Sequence, residues 1–220
     1  MRKFADIFPS RIDQYEGLLT GNPIWKMRTQ GVAKISAEDA IALGASGPTL
    51  RGSGVDIDLR RDAPYTGYEN FKFKVPLGKE GDVFDRYMCR VQELRESIGI
   101  VKQALEGMPE GPIKANAPKV VLPDREKMKT EMESLIYHFK IITEGFQVPE
   151  GEVYQAVESP RGEMGYYVVS DGSAKPYRVH MRSACLANMQ LLPTMCEGKL
   201  IADVVAAIGS IDIVLGEIDR

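Results

Sequence analysis

The sequence predicts an α+β fold, mainly α-helical, with long antiparallel helices and a small three-stranded antiparallel sheet. Two observations carry this. Between residues 82 and 146, apolar side chains recur at three- and four-residue steps, the period of a helix that buries one face. Between residues 152 and 182 the period shortens toward two, in three runs separated by turn residues.

Residues 1–35 hold an acidic-aromatic opening and the run Gly21-Asn22-Pro23-Ile24-Trp25-Lys26-Met27-Arg28-Thr29-Gln30-Gly31. Ser36 followed by Asp39 marks the start of a short helix over 37–43, with Gly44 as its stop. A glycine-rich loop is expected over 44–54, and 55–81 reads as loop, punctuated by Pro64, Gly67 and Pro76. From Asp82, the residues Phe84, Tyr87, Met88, Val91, Leu94, Ile98, Val101 and Leu105 form one stripe of about seven turns. Gly107 and Pro109 end it. A second helix starts near Asp124, with Met128, Met132, Leu135, Phe139, Ile142 and Phe146 on its stripe. Both stripes are expected to be core, the two helices pairing antiparallel. Three strands follow, joined by Ser159-Pro160-Arg161-Gly162 and Asp171-Gly172-Ser173. Ser183 caps a helix through Cys196, and a last helix spans 198–208.

Composition narrows the function. A chain of 220 residues, 44% hydrophobic and 27% charged, has the make-up of a globular protein. A net charge of -3 supplies no basic field for nucleic acid. No run approaches the roughly 20 apolar residues of a membrane span, and no signal peptide is evident. Cys89, Cys185 and Cys196 are dispersed and odd in number, which reads as buried thiols in a reducing compartment.

Few motifs suggest chemistry by themselves. Arg51-Gly52-Ser53-Gly54 lacks the Gly-Lys-Ser/Thr of a phosphate loop. His138 has no Cys or His one turn away and reads as a packed or surface residue. Arg178, His180 and Arg182 share one face of a strand, either a solvated face or a cationic wall. The end of the chain is more specific. Residues 212–220, Asp-Ile-Val-Leu-Gly-Glu-Ile-Asp-Arg, are apolar with interspersed acids, unlike a frayed polar tail. They read as a terminus buried in protein.

This tail resembles the end of the nickel-iron hydrogenase large subunit, where Asp-Pro-Cys-x-x-Cys-x-x-His presents two thiolates to the metal. Asp212 matches the Asp, Val214 and Glu217 stand where the cysteines would be, and Arg220 replaces the histidine. Valine ligates nothing, so no nickel site is expected. Thr20-Gly21-Asn22, Gly47 to Gly54 with Asp56, Asp58, Arg60 and Arg61, Glu144 to Gly151, and Gly162 to Tyr177 extend the resemblance from residue 7 to residue 220. The chain is thus identified as resembling the hydrogenase-like D-type subunits of NADH-quinone oxidoreductase (respiratory complex I), over 1–220 as the C-terminal part of that family.

The resemblance implies a hydrogenase large-subunit-like fold and a wall of the quinone cavity, with Asp212 and Val214 lining it. It implies quinone as the ligand, no covalently bound cofactor, and a [4Fe-4S] cluster held by a partner subunit. Implied partners are that terminal-cluster subunit, a C-type subunit of the same complex and the family's N-terminal half. This chain lacks that half, which carries the groups that contact the quinone headgroup. Met1 is therefore read as a split-gene start, an expression boundary or the start of a truncated homologue. The implied location is peripheral, on the cytoplasmic side of the inner (cell) membrane, with membrane contact only through partners. The alternative is a non-catalytic scaffold or assembly module that keeps the fold.

Overall fold

A computed structural model describes residues 1–219. The chain forms α1 (Arg2–Leu19), α2 (Pro23–Thr29), α3 (Ala37–Ala42), α4 (Gly47–Gly52), α5 (Leu59–Asp62) and a 3-10 turn at Tyr68–Asn70. The long α6 (Val83–Glu106) follows, then α7 (Arg125–Thr130) and α8 (Met132–Thr143). A meander of β1 (Gly151–Ser159), β2 (Gly162–Ser170) and β3 (Arg178–Arg182) in the order β1-β2-β3 leads to α9 (Ala184–Met189), α10 (Leu192–Cys196), α11 (Ile201–Ile211) and α12 (Leu215–Asp219). The mainly helical α+β architecture is as the sequence predicts.

The chain divides into two compact units. The first comprises Met1–Met108, Ala156–Gly165 and Arg182–Arg220, and the second Pro109–Gln155 and Tyr166–Met181. In the first, Ala33, Ile35, Ala40, Leu50, Val83, Leu191, Met195 and Ala207 make one apolar core. The antiparallel partner of α6 is α1. The cross-links run in opposite senses along the two helices: Lys102 to Asp6 at 3.8 Å, Arg95 to Asp13 at 2.7 Å, and Tyr87 to Thr20 at 2.8 Å. The expected partner, residues 124–146, belongs to the second unit. α1 escapes a sequence reading because Pro9 lies inside it; proline removes one ladder hydrogen bond and reads as a stop.

Other boundaries move for local reasons. The expected loop over 44–54 contains α4, whose six residues are all buried. Extended backbone at Glu131 separates α7 from α8 (φ -115, ψ 117). The helix expected from Ser183 to Cys196 breaks into α9 and α10, with Pro193 at the start of the second. The caps fall where the sequence puts them: Ser36 Oγ accepts from Asp39 N at 3.0 Å, and Ser183 Oγ from Leu186 N at 3.3 Å.

In the second unit the stripe on α8 is not core. Met132, Leu135, Ile136, Phe139 and Ile142 are all exposed. A periodic apolar face says that something covers it, not that the same chain does.

Candidate functional site

The densest charge in the first unit lies under α6. Arg51 leaves the last turn of α4 and is only 1% exposed. It donates from Nη2 to Glu93 of α6 at 2.7 Å, and from Nη1 to Glu158 of β1 at 2.8 Å and to the Ile57 carbonyl at 3.1 Å. Asp58, fully buried, lies 3.6 Å from the same guanidinium and 2.6 Å from Arg60. Glu158 Oε2 also accepts from Leu59 N, so strand, loop and helix meet on one arginine. Burial alone would lower the pKa of Arg51, but Glu93 and Glu158 outweigh it and raise it. For Glu93 the balance reverses: burial pushes its carboxyl above the ordinary value despite Arg51. At Asp58 burial is overcome by Arg60 and Arg51, which hold its pKa below the ordinary value.

The tail meets this region through Arg161, in the tight turn between β1 and β2. The turn is seated by Asn188, which accepts from Ser46 N and donates to the Arg161 carbonyl at 3.1 Å. Gly47 approaches so closely that an added Cβ would lie 2.4 Å from Gly162 Cα. Arg161 Nε donates to the Asp212 carbonyl at 2.9 Å, lies 3.4 Å from its carboxylate, and Nη1 reaches Glu217 at 3.8 Å. Asp212 itself is left-handed (φ 56, ψ 55) and closes α11. That conformation is tolerated best by Gly, Asn and Asp. It turns the chain sharply, so Asp212 faces two clefts.

The first cleft, about 490 Å³, takes charged side chains into its lining, with Arg51, Glu93, Glu158, Arg90 and Asp212 beside Tyr68, Leu94 and Pro160. The second, about 510 Å³, lies among α2, α6 and α11 and is mainly apolar; Arg90 and Asp212 line it too. Arg90 Nε and Nη2 are buried without hydrogen-bond partners among the described residues, and burial lowers its pKa, with Asp212 the foremost charge opposing that. Val214 is half-buried and lines neither cleft. The tail is only partly covered in this chain, since Leu215 is 78% exposed. Arg220, matched above to the hydrogenase histidine, lies outside the described residues.

No metal-binding group of three or more His, Cys, Asp or Glu occurs among the described residues. Burial pushes the Cys89 thiol up to about 11 and raises Cys185, which sits against the Glu217 carboxylate and the Val214 N–H. His180 and Arg178 are exposed, whereas Arg182 donates to the carbonyls of Glu163 and Gly44. That strand face is therefore partly a structural clasp. Sequence reasoning missed the arginine hub and Arg90. Arg51 lies within the Gly47 to Gly54 motif, but nothing local distinguishes a buried arginine from a solvated one.

Fold and site together define a mainly helical α+β protein, built on a buried arginine-carboxylate core, with Asp212 of the tail turn in the lining of two clefts. Residues 1–220 match the family model described as respiratory-chain NADH dehydrogenase, 49 Kd subunit, and the chain belongs to that family. It is 76% identical over its whole length to the D 2 subunit of NADH-quinone oxidoreductase from Koribacter versatilis, covering 55% of that protein. It is 64% identical to the D 1 subunit from Solibacter usitatus, covering 54%, and 58% identical to the D subunit from Trichlorobacter lovleyi, covering 56%, in each case over all of this chain. The chain thus spans about half the length of the curated relatives it matches. Among the described residues no helix is long and apolar enough to cross a membrane.

Proposed function

We propose that this chain forms part of the quinone-reducing module of an NADH-quinone oxidoreductase, with Asp212 in the wall of the quinone cavity. The observation that carries the reading is the left-handed turn at Asp212, which sets this acidic residue in the lining of two clefts, one carrying a cluster of charged side chains and one mainly apolar. A quinone needs both environments: an apolar seat for its ring and tail, and charged groups that can pass protons. Reduction takes two electrons and two protons. In this reading the electrons come from NADH through a [4Fe-4S] cluster in a partner subunit. Asp212 relays or positions a proton, and Arg161 holds its backbone and carboxylate in place. Val214 is assigned to the same wall by the resemblance of the tail, on the turn that carries Asp212 and outside the lining of the two clefts. The protein works peripherally, on the cytoplasmic side of the membrane, touching it through partners that include a C-type subunit. Family membership and the names of the relatives support the placement in an NADH-quinone oxidoreductase.

The test is Asp212→Asn in the assembled enzyme, which removes the charge at nearly constant shape. General acid-base assistance is worth roughly 10²-fold or more. Quinone reductase turnover should therefore fall by at least about tenfold, while NADH oxidation by an artificial acceptor is unchanged. Equal rates with quinone for variant and parent, at normal assembly, would remove Asp212 from the reaction.

A further inference from the structure

Glu93 differs from the other buried carboxylates of the first unit because it is gripped from one side only. Arg51 donates to it from Nε at 2.9 Å and from Nη2 at 2.7 Å, and both bonds fall on Oε1. Oε2 accepts no hydrogen bond among the described residues, although the side chain is only 15% exposed. Its neighbours are closed. Glu158 spends Oε1 on Arg51 and Oε2 on the Leu59 N–H, and both oxygens of Asp58 accept from Arg60. A half-bonded carboxyl out of water favours its protonated form. Burial accordingly pushes Glu93 above the ordinary carboxylate value, against the pull of Arg51, Arg60 and Arg90. Cys89, one turn back on α6, adds no charge, since burial pushes its thiol up to about 11.

The cleft gives that proton a destination. Arg90, Glu93, Leu94 and Ser97 recur at helical steps along α6 and line the cleft of about 490 Å³ that Asp212 also lines. Arg90 is the cation on which both Asp212 and Glu93 act. Charges therefore alternate from the tail turn inward: Asp212, Arg90, Glu93, Arg51, then Glu158 and Asp58. At roughly 30 Å³ per water molecule the cleft has room for a bridge between the two carboxyls, with Arg90 and Ser97 as its polar partners.

We infer that Glu93 returns protons to Asp212 during quinone reduction, across the cleft that the two residues share. The inference rests on the quinone reading. Glu93 acts through Asp212 and does not touch the quinone. Each turn of the relay moves one proton and no electron. The Glu93 O–H bond breaks as an Asp212 O–H bond forms, the Glu93 carboxylate is left beside Arg51 and Arg90, and solvent at the mouth of the cleft returns a proton to it. Two turns supply the two protons of one quinone.

The test is Glu93→Gln in the assembled enzyme, where the amide oxygen still accepts from Arg51 but no proton can be released. Quinone turnover should fall at least about tenfold, with NADH oxidation by an artificial acceptor unchanged. Added formate, a small diffusible acid, should raise the variant's turnover at least about threefold over equal chloride, which a structural fault would not allow. In the parent, turnover should decline on the alkaline side, because the relay needs protonated Glu93 and that fraction falls as pH rises through its folded value. Glu93→Asp keeps a carboxyl but loosens its grip on Arg51, so it should keep reducing quinone with that alkaline limb displaced. Turnover of Glu93→Gln within about twofold of the parent overturns the inference, and so does a loss that formate leaves in place. Should Glu93→Gln fail to assemble, Glu93→Asp decides, and an alkaline limb unmoved from the parent's overturns the inference. A slow Asp212→Asn beside a normal Glu93→Gln removes the relay alone, whereas normal quinone turnover in both removes the quinone reading as well.

Discussion

Replacing Arg51 by methionine should be among the costliest single changes in the first unit, and its cost should depend on pH with a definite sign. Methionine keeps much of the side-chain volume and removes the cation. Glu93 and Glu158, at 2.7 and 2.8 Å, then lose their shared partner inside the protein. Breaking a buried ion pair from one side costs about 3–5 kcal/mol, a large part of the roughly 5–15 kcal/mol that stabilises a domain. In the parent protein the lowered pKa of Asp58 contributes stability above its unfolded value, and this is lost as pH falls through the folded one. Glu93 has the opposite sign. Its raised pKa favours the fold at low pH, and that contribution disappears as pH rises through the folded value. In Arg51→Met the burial of Glu93 acts without its main opponent, and both carboxyls are pushed toward the protonated form. The deficit should therefore be largest near about pH 8 and shrink toward about pH 5. Urea unfolding followed by fluorescence of Trp25, the single tryptophan, reports on this unit. A deficit under about 1 kcal/mol, or one constant across that pH range, would refute the reasoning. Adding Glu93→Leu and Glu158→Leu to Arg51→Met should restore part of the loss, because fewer buried charges are then stranded.

Arg86→Met should cost about 2–4 kcal/mol, because Arg86 is fully buried and donates to Ser210 Oγ, the Gly81 carbonyl and the Ala33 carbonyl at 2.8–2.9 Å. Urea unfolding at neutral pH measures it, and a loss under about 1 kcal/mol would show that water replaces those bonds. Gly47→Ala should lower the melting temperature by at least about 5 °C, since the new Cβ meets the Gly162 backbone and φ is +64. An unchanged melting curve would mean that the β1–β2 turn shifts freely. The chain purified anaerobically should hold less than about 0.1 equivalents of nickel or iron, because soft metals need thiolates and burial keeps Cys89 and Cys185 protonated. Stoichiometric metal by elemental analysis would contradict this.

Legibility in the sequence followed the range of the interaction. The stripe from Phe84 to Leu105 announced α6 because its period is local, and Ser36 and Ser183 announced their helices because a cap lies within three residues of what it bonds. Pro9 concealed α1, and the partner of α6 was misjudged because antiparallel contact between Asp6 and Lys102 leaves no mark on either segment alone. The exposed stripe on α8 shows the same limit from the other side: periodicity reports an apolar face but not its occupant. At the site, Asp212 was found through the resemblance of the tail. The hub formed by Arg51, Glu93 and Glu158 joins residues 42 and 107 positions apart, and no short window contains it. The left-handed turn at Asp212 likewise depends on Arg161 and the end of α11, so the facing of its carboxylate belongs to the fold.

The central claim, that the tail turn of this chain walls a quinone cavity, is tested most directly by photolabelling. A quinone analogue bearing a photoreactive ring substituent is irradiated in the assembled enzyme, with and without excess natural quinone, and labelled peptides are sequenced by mass spectrometry. Label on residues 212–219 is expected, reduced at least about tenfold by excess quinone. Competed label confined to other subunits, with this segment unmodified, would contradict the claim.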